Sequence, residues 1–86
     1  MKADRVLNAR GWSFPWCFLK AMSMLKNLEP GQILEVLGTD PLTLKYLPRI
    51  LERTDNQLIE AEKKPDFFRL YLRRGPGVEG GCAGEK

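Results

Sequence analysis

The stretch from Ala9 to Lys20 constrains this chain more than any other. It crowds four aromatics, a proline and one of the two cysteines into the join between an expected strand and an expected helix. Pro15 suits the first helical position, because the N–H it lacks has no intrahelical partner there. Ser13 or Phe14 then stands as the cap, and Ser13 has the oxygen for it. A thiol near this point sits where free backbone N–H groups and the helix dipole favour a thiolate. If the chain performs chemistry, it is expected here.

The rest of the chain reads outward from that join. Asp4 to Asn8 is a short first strand, with Val6 and Leu7 as its apolar content. The helix that follows spans about Pro15 to Leu28. Phe18, Met22 and Leu25 fall at helical spacing, as do Cys17, Ala21, Met24 and Leu28, which makes one wide apolar face. Lys20, Ser23 and Lys26 fit the wet side, and Glu29-Pro30-Gly31 turns the chain. Gln32 to Gly38 is a second, largely buried strand. The proline-led start then recurs at Thr39-Asp40-Pro41, with Asp40 as cap. Leu44, Leu47, Ile50 and Leu51 form the second helix's core stripe. Pro48 interrupts that stripe by removing a donor, so a kink or a short leading turn is expected.

Thr54-Asp55-Asn56 stops the second helix, and Gln57 to Lys63 and Phe67 to Arg74 read as two strands. Their connection, Lys64-Pro65-Asp66, is too short for anything but an antiparallel hairpin. The expected order is therefore βαβαββ. Two helices can cover only one face of a four-stranded mixed sheet, which gives an α+β fold, a two-layer α/β sandwich. The 86 residues make one domain over residues 1–75, followed by a flexible glycine-rich tail over 76–86.

Charge and cysteine usage narrow the function classes. A net charge of +3 is mild for a nucleic-acid binder. The one dense basic cluster is Lys63, Lys64, Arg69, Arg73 and Arg74, with Asp66 as the acid among them. It reads either as a docking surface for an acidic partner or RNA, or as a solvated strand face. Lys20 breaks the apolar run that begins at Phe14, so no membrane span is expected. No apolar signal region follows Met1-Lys2-Ala3-Asp4-Arg5, and a cytoplasmic location is the default expectation. With no histidine and two cysteines, a closed four-ligand zinc site and His-assisted nucleophilic catalysis are both excluded. The cysteines are expected to be reduced thiols. No base, metal set or phosphate loop suggests an independent enzyme, and no cofactor or metal is expected.

At this point the residues resemble a known family, the TusA/SirA-like sulfur carrier proteins. The likeness covers about residues 4 to 74. It rests on Leu7-Asn8-Ala9-Arg10-Gly11, similar to the family's Leu-Asp-Ala-Arg-Gly, on Lys20, and on Leu28-Glu29-Pro30-Gly31-Gln32. Asp40-Pro41 and Leu47-Pro48 match as well. The resemblance implies a fold like that of the C-terminal domain of translation initiation factor 3. It also implies a carrier that accepts a persulfide sulfur from a cysteine desulfurase, a rhodanese or another sulfur-transfer protein and passes it on. Such carriers serve tRNA thiolation, cofactor assembly and dissimilatory sulfur metabolism, and tRNA is a further candidate contact.

The family's sulfur sits on the Cys of a Cys-Pro-x-Pro motif directly after the Arg-Gly turn. Here that motif reads Phe14-Pro15-Trp16-Cys17, with Phe14 at the carrier position and Cys17 at the second Pro. Three readings stay open. Cys17 accepts the sulfur, just under one helical turn from the usual place, or it is an inert core thiol. Cys82, on the glycine-rich tail, accepts it or exchanges with Cys17. Alternatively, the domain is a non-catalytic interaction or regulatory module that keeps the family docking surface without carrying sulfur. Trp12, Phe14, Trp16 and Phe18 would then form an aromatic contact patch beside Pro15, with at least one of Trp12, Phe14 and Trp16 exposed. Arg10 matches the family's loop arginine and either helps hold anionic sulfur or shapes the turn.

Overall fold

A computed structural model describes residues 2–76. The elements follow the expected order: β1 (Arg5–Ala9), α1 (Trp16–Lys26), β2 (Ile33–Gly38), α2 (Pro41–Leu51), β3 (Gln57–Lys63) and β4 (Phe68–Arg73). The strands form one sheet in the order β1-β2-β4-β3. β1 lies parallel to β2, with Leu7 opposite Val36, while β2 and β3 both run antiparallel to β4. The sheet is therefore mixed, and the fold is an α+β sandwich.

Alternation along the strands assigns the two faces. Leu7 and Ala9, Leu34 and Val36, and Phe68, Leu70 and Leu72 are buried and form one cluster with Cys17, Ala21, Leu25 and Leu28 of the α1 segment and Leu47 and Leu51 of α2. Both helices thus pack on the same side. Each fully buried leucine in that layer contributes about 1.5–3 kcal/mol of transfer free energy. The residues between them, Val6 and Asn8, Glu35 and Leu37, and Arg69 and Tyr71, line the uncovered face. Two glycines take the left-handed backbone that the turns require, Gly11 after β1 (φ 88°) and Gly31 before β2 (φ 89°).

Several expectations need correction. Pro15 is the N-cap of α1 and not its first residue, and no side chain caps that end. Ser13 contributes its carbonyl, which accepts from the Trp16 and Cys17 N–H groups at 2.9 and 3.4 Å. α1 also stops at Lys26, two residues before Leu28. α2 runs as one helix through Pro48, with Asp40 and Pro41 in the expected places. The basic cluster is not one patch. Lys63 pairs with Phe68 at one end of the hairpin and Arg73 with Gln57 at the other, about 17 Å of strand apart. Arg69 lies between them and is bound by Glu35 at 3.1 Å and Glu62 at 2.7 Å. Glu35 and Glu62 thus interrupt the basic cluster on the hairpin.

Both described ends of the chain leave from one edge of the sandwich. The Asp4 N–H donates to Ile33 O at 2.8 Å and the Arg74 N–H to Gln32 O at 2.9 Å, while Ala9, Gly38 and Phe68 mark the opposite edge. No described helix is long and apolar enough to cross a membrane. Cys82 and the glycine-rich tail expected over 76–86 fall, beyond Pro76, outside the described residues.

Candidate functional site

At the opposite edge, the loop after β1 is fastened to the loop after β2. The Trp12 N–H turns back to Ala9 O at 3.0 Å. The Gly11 N–H donates to Thr39 Oγ1 at 2.9 Å, and the Phe14 N–H to Asp40 Oδ2 at 2.6 Å. Asp40 is also the cap of α2, its Oδ1 accepting from the Leu42 N–H at 3.4 Å. Its Oδ2 accepts a further hydrogen bond from Thr43 Oγ1 at 3.1 Å. One carboxylate therefore serves the starts of both helices. Short charge-assisted bonds to backbone amides of this kind are the strong ones.

Phe14, which stands where the resemblance places the sulfur-carrying Cys, is half-buried between two other rings. Its centroid lies 6.0 Å from Phe18 and 5.8 Å from Tyr46, both tilted, at the spacing aromatic pairs prefer. The carrier position is thus filled by a packed hydrocarbon.

Cys17 occupies the first turn of α1 but points inward. It is 1% exposed and belongs to the core cluster with Ala21 and Leu25. Burial pushes its thiol above the ordinary range, and the Asp40 carboxylate adds to that, while the Thr43 hydroxyl beside the sulfur opposes it. That opposition is limited, because the single Thr43 hydrogen is already donated to Asp40. The thiolate favoured by a helix start is therefore not what this packing favours. Desolvation is the largest cause of the shift.

The other expected site residues divide between two surfaces. Trp12 and Trp16 are 40% and 65% exposed at the mouth of the joined loops, beside the exposed Pro15. Arg10 goes elsewhere. Its Nε donates to Asn8 Oδ1 at 3.0 Å and its guanidinium lies 5.7 Å from the Phe67 ring, on the uncovered face of the sheet. Among the described residues, no group of three His, Cys, Asp or Glu could hold a metal ion.

Three further exposed large side chains lie on the two helices: Leu19 on α1, and Leu42 and Tyr46 on α2, Tyr46 packing against Phe14. Their signal lay in helical spacing. Trp16 and Leu19 are three apart, and Leu42 and Tyr46 four apart, off the buried stripe of Thr43, Leu47 and Leu51. Asp40 was legible as a cap but not as the link between loops, because its second partner lies 26 residues away.

Comparison with known proteins finds relatives over nearly the whole described chain. A family model described as Sulfurtransferase TusA matches residues 5–74. The chain is 30% identical over 71 residues to the sulfur carrier protein TusA of Allochromatium vinosum, spanning 83% of this chain and 93% of that one. It is 26% identical over 74 residues to the sulfur carrier protein TusA of Pseudomonas fluorescens, spanning 86% and 89%. Against YrkF of Bacillus subtilis the identity is 31% over 75 residues, spanning 87% of this chain but 40% of YrkF, the longer protein.

Proposed function

The chain belongs to the sulfurtransferase TusA family, and from that premise we propose that it acts in sulfur transfer by docking a sulfur-transfer protein on the aromatic surface around Phe14, without an open carrier thiol at that place. The observation that carries this reading is the Phe14 ring, packed between Phe18 and Tyr46 at the carrier position while Cys17 is buried in the core. Exposed Trp16 and Trp12 supply the kind of large, few-torsion side chains that dominate interface energetics, and Leu19 and Leu42 add exposed apolar area. A cysteine desulfurase or a rhodanese is the partner the family supports.

A second reading keeps Cys17 as a carrier. It is favoured by the position of that sulfur in the first turn of α1. In this case the first turn opens and the Cys17 thiolate attacks the outer sulfur of a donor persulfide. A new S–S bond forms at Cys17, and the donor cysteine leaves as its thiolate. Cys82 is the remaining thiol that could take the same step.

Intact mass separates these possibilities. The protein is incubated with a cysteine desulfurase and cysteine, with and without reductant, while binding is measured in parallel. The docking reading expects binding that Trp16→Ala weakens by at least tenfold, with no reducible adduct on Cys17. An adduct lost in Cys17→Ala establishes the second reading, and one lost only in Cys82→Ala moves the role to the tail. Binding indifferent to both Trp12→Ala and Trp16→Ala rules out the aromatic surface.

A further inference from the structure

The aromatic surface carries a charge pattern that specifies its partner further. Neither α1 nor α2 contains an acidic residue, whereas α1 carries Lys20 and Lys26 and α2 carries Lys45 and Arg49. Among the described residues every ion pair involves Arg69, on the far side of the sheet, so Lys20, Lys45, Arg49 and Arg53 have no carboxylate partner there. Lys45 brings its charge into the surface itself, with Nζ 5.4 Å from the centroid of the Tyr46 ring. Tyr46 also lines a groove of about 810 Å³ with Arg49, Ile50, Arg53 and one acid, Glu52. Tyr46 belongs to both features, since its ring also packs against Phe14. The rings and the cationic groove therefore form one continuous surface.

We propose that this surface binds an acidic segment of a partner protein, apolar side chains settling against Trp16, Phe14 and Tyr46 while carboxylates meet Lys45, Arg49 and Arg53. The inference rests on the docking reading above and adds the chemistry of the partner. Complementary charge steers the encounter and sets the register, while the buried rings hold the complex. A second copy of this chain is the wrong occupant, because it would bring a like-charged helix layer face to face with this one. A flat anionic bilayer fits less well than a protein, since the Phe14 ring is recessed between its two neighbours and the arginines line a groove.

The test uses the full chain, labelled with nitrogen-15. Its probes are a short synthetic peptide of glutamate and leucine, the matching peptide of lysine and leucine, and phosphatidylserine vesicles. The expected result is that the glutamate peptide shifts the amides of Lys45 to Arg53 and the Trp16 indole. Its affinity should fall about tenfold between about 0.05 and 0.5 M salt, as surface charge is screened. The double variant Lys45→Glu with Arg49→Glu should lose the response, whereas Lys2→Glu, at the other end of the sandwich, should keep it. The amide spectrum of the unbound double variant shows whether its fold is intact. A response to the lysine peptide of equal size, a salt-independent affinity, no peptide response, or a response to vesicles alone overturns the proposal. Desulfurase binding that Trp16→Ala abolishes but the double reversal leaves intact overturns the acidic-partner inference while leaving the docking reading in place. Binding insensitive to both overturns the docking reading itself.

Discussion

Asp40 holds Phe14, Leu42 and Thr43 with one carboxylate, so its removal acts on both helix starts at once. Asp40→Ala is expected to cost about 1–2 kcal/mol for the lost cap, read as a lower denaturation midpoint. The same change frees the Phe14 N–H and loosens the loop that leads into the first turn of α1, where Cys17 sits. In a Cys82→Ala background, the rate at which a thiol reagent labels Cys17 should therefore rise by roughly tenfold or more, since labelling tracks local opening. Cys17 also makes a pH prediction. Its thiol pKa is raised by burial above the ordinary thiol range, so the folded state keeps a proton that the unfolded chain gives up. The resulting stabilisation is intact below about pH 9 and is lost as the pH climbs from the unfolded pKa through the folded one. Denaturation midpoints of the parent chain should fall faster above that pH than those of Cys17→Ala. At this scale the spacing of Cys17 with Ala21, Met24 and Leu28 made its burial legible. The shift of its thiol was not, because it depends on Asp40 and Thr43 arriving from another element.

At the scale of elements, periodicity and turn chemistry carry most of the fold. Both helices, all four strands and the antiparallel hairpin follow from apolar spacing and from Pro30-Gly31, Asp40-Pro41 and Lys64-Pro65-Asp66. The start of α1 is the exception. Local rules point to Ser13 as a side-chain cap, but the nearby amide of Phe14 is satisfied by Asp40 across the gap between loops, a non-local partner that no window of sequence contains. Pro48 likewise stays within α2, where its half-buried ring borders a groove with Leu51 and Leu58. The β2–β4 pairing supplies a sharper constraint. A methyl group on Gly38 would run into the Phe68 ring, which is itself buried at the end of the helix-covered face. Gly38→Ala should destabilise the domain by about 1–3 kcal/mol, the usual cost of overpacking, in a chemical denaturation series.

For the whole molecule, the two layers separate folding from binding. Truncating the core residue Leu25 to alanine should cost about 2–5 kcal/mol by leaving a cavity. Trp16→Ala removes a side chain that is 65% exposed, so its midpoint should stay within about 0.5 kcal/mol of the parent even as partner binding drops. A parallel set of thermal melts and binding isotherms checks that divergence. The uncovered face is less legible from sequence, because strand pairing recruits Glu35 to Arg69 from 34 positions away and so dismantles the apparent basic cluster. The position of the chain ends has its own consequence. Lys2 and Pro76 lie beyond the start of β1 and the end of β4, which flank the start of β2 on its two sides, at the edge remote from Trp16. A sandwich with paired exits can be spliced into a longer polypeptide as a cassette, its working end free to swing toward whatever is tethered beside it. The match to YrkF, which occupies only 40% of that protein, is the arrangement such an architecture permits.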